Sequence, residues 1–400
     1  STYQDGSPKT DIAPEILTFL DNFVPNSSTE RSVNYVGLVS VEGMLALFLP
    51  KGMQAAGERS DARNLYRCVS QYERSLGLGW GSKTNASVSI PSGVKILEDY
   101  LASGLYTVQE TKWQRSNSGK TNWVKTIRQV KPYLTKSNIP IYTPPISSKH
   151  QIASDYLLQI HKAIVSESDE QLSWLISQSG SSIAPDLKNI KMLFSTDKAL
   201  GLLRNELVKQ FDDKKIAKLN LMIDYLEQKK EMGGRSDWRL GTTNFQVLWE
   251  QMCASVFGDE KNKYPAPAIP AYIIAGSTSV HPENSPRPDV VFAKEKKIAV
   301  VDAKYYDFKK SKPSWGDMVK QFFYAKSFKL KYKDFEVSNI FAVSEIADKS
   351  VEKVSVVDGD GRLLEEEFSP IKIVYLNVNK VIDLFTQRKR SKDFRNECFD

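Results

Sequence analysis

Apolar residues recur along this chain with two different periods, and the switches between them outline its elements. After a polar lead over residues 1–30 that carries one short amphipathic helix, Pro14 to Phe23, strand-like runs follow at Val33 to Ser40 and Met44 to Leu49. The link Val41-Glu42-Gly43 between those runs is a hairpin signal. Helical spacing returns over Asp61 to Leu76 and Gly93 to Ser103. From Ile152 to Glu231 it dominates, with Tyr156, Ile160 and Ile164, and later Leu219, Ile223 and Leu226, on one period. Beyond Gly233-Gly234 helices and strands alternate. A helix over Phe245 to Phe257 carries an apolar stripe of Phe245, Leu248, Trp249, Met252 and Val256, and a second spans Ser314 to Leu330. Later strands are predicted at Asn339 to Val343, Val351 to Val357 and Ile371 to Leu376, with Asp358-Gly359-Asp360-Gly361 as a turn.

Punctuation by Pro and Gly divides this pattern. The interval Ile139 to Ile146, with Pro140, Pro144 and Pro145, marks one boundary and Gly233-Gly234 another. The expected organisation is α+β and multidomain: a β-rich N-terminal domain over 1–145, a helical region over 146–232 and an α/β domain over 233–400.

The last region carries the chemistry. Two β-branched runs, Val290-Val291-Phe292 and Ile298-Ala299-Val300-Val301, flank Lys294-Glu295-Lys296-Lys297 and predict a hairpin. With Glu295-Lys296 as the turn, Lys294 faces Lys297, and Asp289 falls opposite Asp302 with Cβ atoms roughly 5 Å apart. Lys304, two residues on, shares a face with Asp302, while Val301 and Ala303 point to the opposite side. The order Arg287-Pro288-Asp289, then Asp302-Ala303-Lys304, is the order of groups used in metal-dependent phosphodiester cleavage by PD-(D/E)xK nucleases. Hard carboxylate oxygens suit Mg²⁺, which polarises the scissile phosphate and lowers the pKa of a bound water. Lys304 would hold that water or offset developing charge. The alternative for a D-x-K tripeptide is an ion pair on an exposed strand, but a buried run that ends in charged residues is unusual unless the charges work.

Two flanking positions fit the same class. Glu250 lies off the centre of its helical stripe, and in many such nucleases an acidic residue on the first helix helps the metal site; a solvated Glu is the competing reading. Gln321, on the second helix with Tyr324 among Met318, Phe322 and Phe328, would bond the water or Lys304, or else be a surface residue.

The set Phe245, Trp249-Glu250, Arg287-Pro288-Asp289, Asp302-Ala303-Lys304-Tyr305 and Asp317, Gln321, Tyr324 resembles the nuclease subunits of the McrBC and LlaJI restriction systems. Val33-Asn34-Tyr35-Val36-Gly37-Leu38-Val39 with Leu47-Phe48-Leu49-Pro50-Lys51 looks like that family's opening strands, and Gly119-Lys120-Thr121-Asn122-Trp123-Val124-Lys125-Thr126-Ile127 like a central motif of the LlaJI branch. The resemblance implies a C-terminal PD-(D/E)xK restriction-endonuclease-like domain with Asp289, Asp302 and Glu250 as metal ligands, and Lys304 and Gln321 beside them. It further implies an endonuclease acting on double-stranded DNA with a McrB-like AAA+ GTPase, which it binds through its N-terminal part and stimulates.

Ser118-Gly119-Lys120-Thr121 imitates the end of a phosphate-binding loop, but the position five residues before Gly119 is Gln114 rather than Gly. Nucleotide use is therefore expected in a partner. Lys120, Trp123, Lys125 and Arg128 would touch DNA or that partner, unless Trp123 packs in a core. A net charge of +7, with 48 acidic residues nearly balancing 55 basic ones, favours a polyanion only mildly; Lys309-Lys310-Ser311-Lys312 and Arg388-Lys389-Arg390-Ser391-Lys392 are local basic clusters. Three cysteines, Cys68, Cys253 and Cys398, cannot pair without one left over, and the three histidines, His150, His161 and His281, do not support a zinc or HNH site. No run of about 20 apolar residues predicts a membrane span, and a cytoplasmic protein is expected.

Two alternatives remain open: a self-sufficient type II restriction endonuclease in which residues 1–232 read DNA, and a non-catalytic regulator that keeps the nuclease fold only to activate a motor.

Overall fold

Glu42 and Gly43 both adopt left-handed backbone, with φ of 50° and 82°, and fold the first strand-like run back on the second as a two-residue turn. The structure is a computed structural model and describes residues 1–76, 88–107, 109–152, 155–274, 277–280, 287–305, 312–345 and 351–400. Residues 1–90 supply β1 (Thr2–Gln4), α1 (Pro14–Phe23), β2 (Val36–Val41), β3 (Met44–Leu49), α2 (Glu58–Ser75) and β4 (Val88–Ser89). Residues 91–235 supply α3 (Ser92–Ser103), β5 (Gln109–Arg115), α4 (Trp123–Gln129), β6 (Tyr133–Leu134), β7 (Pro140–Ile141), β8 (Ile146–Ile152), α5 (Asp155–Ile176), α6 (Thr196–Leu207) and α7 (Asp213–Glu231). The remainder supplies β9 (Trp238–Thr242), α8 (Phe245–Phe257), β10 (Ala271–Ile274), β11 (Ser277–Val280), β12 (Val290–Lys294), β13 (Lys297–Lys304), α9 (Trp315–Lys331), β14 (Glu336–Ser344), β15 (Lys353–Val354), β16 (Ile371–Leu376), α10 (Val378–Thr386) and α11 (Lys392–Glu397).

The fold is mixed α+β. Its first sheet has the order β1-β3-β2-β9-β4, so a strand from residue 238 onward completes the N-terminal sheet. Gly37 and Gly241 face each other where β2 meets β9, and a Cβ on Gly37 would fall 2.0 Å from the Leu240 carbonyl oxygen. Only glycine permits that approach. By contacts, residues 1–90 and 236–400 form one compact unit and residues 91–235 another. The three-part division drawn along the sequence follows element type, whereas these units follow contacts.

The second unit pairs β5 with β8 as an antiparallel ribbon and packs α3 with α5 and α7. Trp123 on α4 is 57% exposed, with Val124 and Ile127 exposed beside it, so it does not pack in a core.

In the first unit, the sheet β12-β13-β14-β16-β15 carries the candidate chemistry. β12 and β13 are antiparallel with Lys294 opposite Lys297 and Val290 opposite Val301, the register expected from the sequence. Glu295 takes φ of 55° to make the turn, the strain that Glu-Lys chemistry implies there. β14 and β16 then continue parallel to β13. Ile298, Val300 and Val291 pack with Ala325 and Phe328 of α9 and Val337 of β14, while Phe292 stacks on Phe257 of α8. Both faces of the hairpin are covered, each fully buried aliphatic side chain contributing about 1.5–3 kcal/mol. Of the later predicted strands, Val351 to Val357 pairs only at β15 and at a Val357–Leu363 bridge closing the Asp358-Gly359-Asp360-Gly361 turn.

Candidate active site

β13 begins as a buried strand and ends as a charged one. Ile298, Ala299, Val300 and Val301 are fully buried, and Ala303 is buried on the face shared with Val301. Asp302 and Lys304 share the face of Ile298 and Val300 but lie beyond them, where the strand runs past the start of α9. Lys304 Nζ is 2.7 Å from Asp302 Oδ2, and the two side chains are only 12% and 15% exposed. This is an ion pair, but not the exposed one that would make the tripeptide trivial. A pair withdrawn from water is weak evidence of stability, because desolvation offsets much of the attraction.

Asp289 stands just before β12. Its Oδ2 accepts a hydrogen bond from the Ala303 N–H at 2.8 Å, taking the ladder position that a backbone carbonyl would otherwise fill. Its carboxyl also contacts that of Asp302. Burial first, then the charge of Asp302, pushes the Asp289 pKa up to about 7, with Glu250 adding to the rise. The Glu250 pKa is raised as well, by burial first and then by Asp302, against a hydrogen bond from Gln246 and the cations Lys304 and Lys261. For Lys304 burial disfavours the ammonium, but Asp302 and Asp317 more than offset it and its pKa is raised.

The supports are local. Ser314 and Asp317 form a capping box at the start of α9, and Asp317 Oδ1 also meets Lys304 Nζ at 2.9 Å. Beyond α8, Asp259 Oδ1 accepts from Val291 N and Lys261 Nζ donates to the Asp289 carbonyl, tying the loop to the outer edge of β12. Tyr305, following Lys304, packs against Phe245 and Trp249 of α8; its hydroxyl accepts from Lys51 N–H at 2.7 Å and bonds Asp5.

Gln321 is fully buried on α9. Its Nε2 donates to the carbonyls of Val300 and Ile340, on neighbouring strands, and its Oε1 has no partner among the described residues. The sequence places it at a water or Lys304; the structure shows it bridging β13 and β14. The Tyr324 hydroxyl bonds the backbone of Arg287, within electrostatic reach of Asp302 and Asp289. Asp317, Asp259, Lys261 and Tyr305 were given no role by the sequence. Only Asp317 had a local signal, the S-x-x-D spacing of a capping box.

Among the described residues no three His, Cys, Asp or Glu side chains converge as a metal centre, and the Asp302 carboxylate is paired with Lys304. The donor chemistry nevertheless fits a hard cation: Asp289, Asp302 and Glu250 are oxygen donors, and the charge of Asp302 impedes the ionisation of the other two, a repulsion that a bound divalent ion relieves. Of the basic clusters, residues 309–311 lie outside the described residues, as does His281, while Arg388, Lys389 and Arg390 are exposed. All three cysteines are free and buried. His161 is buried in the second unit, its Nδ1 accepting from Tyr106 N–H at 2.8 Å. No helix among the described residues is long and apolar enough to cross a membrane.

An α+β fold that gathers carboxylates and a lysine at the end of a buried strand has the groups a hydrolase of anionic esters needs, and comparison with known proteins gives the class as a DNA endonuclease. The chain belongs to the LlaJI restriction endonuclease family, whose family model matches residues 35–379. It is 22% identical over 389 residues to the type II restriction enzyme BsuMI component YdjA of Bacillus subtilis (strain 168), covering 91% of this chain and 83% of that protein. Its structure is similar, at a TM-score of 0.44 and 14% identity, to a chain in the refined half-complex from the tetradecameric assembly of Thermococcus gammatolerans McrB AAA+ hexamers with bound McrC, covering 97% of this chain and 98% of that one.

Proposed function

We propose that the chain is the Mg²⁺-dependent nuclease subunit of a cytoplasmic restriction system, cutting double-stranded DNA together with a McrB-like AAA+ GTPase that it binds and stimulates. The observation that carries the nuclease site is the convergence of Asp289 and Asp302 with Lys304 paired to the latter. Asp289 and Asp302, with Glu250, would hold the ion, which when bound polarises the scissile phosphate and lowers the pKa of a water. Asp289 is fixed by the Ala303 N–H, so its carboxylate needs no reorganisation to serve as a ligand. Lys304 meets the charge that develops at phosphorus or orients the attacking water. Gln321 acts at one remove, holding β13 against β14 beneath Asp302. On this reading residues 233–400 are a PD-(D/E)xK nuclease domain.

The motif resemblance supports the GTPase partner, and the Bacillus subtilis relative is itself described as a component of a restriction enzyme. The exposed aromatic and aliphatic face of α4, with Trp123 and Lys125, is the surface we assign to coupling. The type II description of that relative favours a second reading, an endonuclease that needs no NTPase. The test is plasmid cleavage with Mg²⁺ by the chain alone and with a Walker-type GTPase encoded beside it plus GTP: cutting only by the mixture supports the subunit, cutting by the lone chain the autonomous enzyme.

A further inference from the structure

We infer that Asp317 is a positioning residue for Lys304, a second anchor that keeps the ammonium at the site while leaving Asp302 free to take a cation. The inference rests on the nuclease reading of Asp289, Asp302 and Lys304. Lys304 Nζ lies between two carboxylates, 2.7 Å from Asp302 Oδ2 and 2.9 Å from Asp317 Oδ1, and over the ring of Phe341 at 5.8 Å from its centroid. Asp302 cannot give its full charge to Lys304 and to a metal ion at once. With Asp302 as the only anion in reach, the lysine would compete directly with the metal, or leave the site when the metal binds.

Asp317 resolves that conflict by geometry. Its Oδ1 meets Lys304, while its Oδ2 accepts from Ser314 Oγ at 2.6 Å and from Ser314 N–H at 3.2 Å; the Asp317 N–H in turn donates to Ser314 Oγ. The carboxylate is thereby fixed by the first turn of α9, and Phe322, Ala325 and Phe328 bury that helix against the sheet. A negative charge at a helix N-terminus is also favoured there by the helix dipole. A solvated Asp would swing; this one is held on both oxygens, and Lys304 is held by it.

The test separates anchoring from capping. Asp317→Asn keeps an acceptor for the cap but loses the charge, whereas Ser314→Ala loses the cap and keeps the charge. The anchor predicts that Asp317→Asn lowers kcat for DNA cleavage by about 100-fold, the cost of a misplaced catalytic group, with little change in KM, and that Asp317→Glu restores part of it. It also predicts, in DNA-free protein followed by calorimetry with Ca²⁺ as a non-cleaving probe, weaker cation binding in Asp317→Asn, because Lys304 then rests on Asp302 alone. Ser314→Ala should lower Tm and cost far less kcat and Ca²⁺ affinity than Asp317→Asn, because the charge and the Ser314 N–H bond to Asp317 Oδ2 both remain. Asp302→Ala and Lys304→Ala run alongside. If they abolish cleavage while Asp317→Asn cuts and binds Ca²⁺ as wild type, or if Asp317→Asn and Ser314→Ala lose rate and Tm together, the anchor is overturned and the site reading survives. If Asp302→Ala and Lys304→Ala cut normally, the site reading fails and the anchor with it.

Discussion

Asp289 completes the β-ladder of the strand opposite: its Oδ2 accepts from the Ala303 N–H at 2.8 Å. The bond fixes the carboxyl beside Asp302, and the fixing has an energetic consequence. Burial and the neighbouring charge raise the Asp289 pKa to about 7 from its ordinary value of 3.8, so the metal-free fold favours the protonated form. A raised folded pKa means stability that is fully present below 3.8 and lost progressively as pH rises to about 7, since the unfolded chain ionises earlier at no such cost. Asp289→Asn, which keeps an acceptor for Ala303, should therefore raise the Tm of EDTA-treated protein at pH 8 by several degrees and have little effect at pH 4, while abolishing cleavage. Thermal denaturation at the two pH values checks it; an unchanged or lowered Tm at pH 8 contradicts the assignment of buried, repelling carboxylates.

The second unit titrates in the opposite direction. Burial and then Lys218 lower the His161 pKa to about 3. Because the folded value lies below the unfolded one of 6.5, His161 contributes stability that is complete above pH 6.5 and lost as pH falls toward 3. Each pH unit in that window is worth about 1.4 kcal/mol. His161→Gln, which can still accept from Tyr106 N–H, should flatten the decline in urea-unfolding free energy between pH 6.5 and 5; an undiminished slope would place the titration elsewhere.

Tyr305, just after β13, joins that strand to the loop after β3. Removing its hydroxyl leaves the Lys51 N–H without its acceptor and takes from Asp5 one of its donors, Lys51 and the Tyr35 backbone remaining. Tyr305→Phe should cost about 1–3 kcal/mol of stability, read as a lowered denaturant midpoint at unchanged m-value.

Trp123 is expected to behave in the converse way. At 57% exposure it supports little of the fold. Trp123→Ala should leave Tm within a degree or two while reducing GTPase stimulation and partner-dependent cleavage. Full stimulation by that variant would remove α4 from the coupling surface.

What was legible in the sequence was local. The ends of α1 and α8, the register through Lys294 and Lys297 and the start of α9 at Ser314 follow from period, turn and cap within a few residues. The place of β9 beside β2 does not, because nothing within Trp238–Thr242 names a partner two hundred residues upstream; only Gly37 and Gly241, facing each other, hint at it afterwards. Trp123 carried two readings, contact surface or core, because an aromatic residue suits either; its exposure removes the core reading. Gln321 was placed on the correct helix, but its partners are carbonyls of adjacent strands, which side-chain type alone does not specify. Asp302 and Lys304 were visible because a buried strand ending in charge breaks the pattern; Asp317 was named within the family motif but given no role, because a capping residue already has a sufficient reason to be there.

The most direct test is cleavage of plasmid DNA with Mg²⁺ by wild type, Asp302→Ala and Lys304→Ala, each folded as judged by Tm and each supplied with the partner GTPase and GTP. The account predicts that both variants lose cleavage by at least about 1,000-fold while still binding the GTPase and stimulating its hydrolysis. Cleavage at the wild-type rate by either folded variant would contradict it.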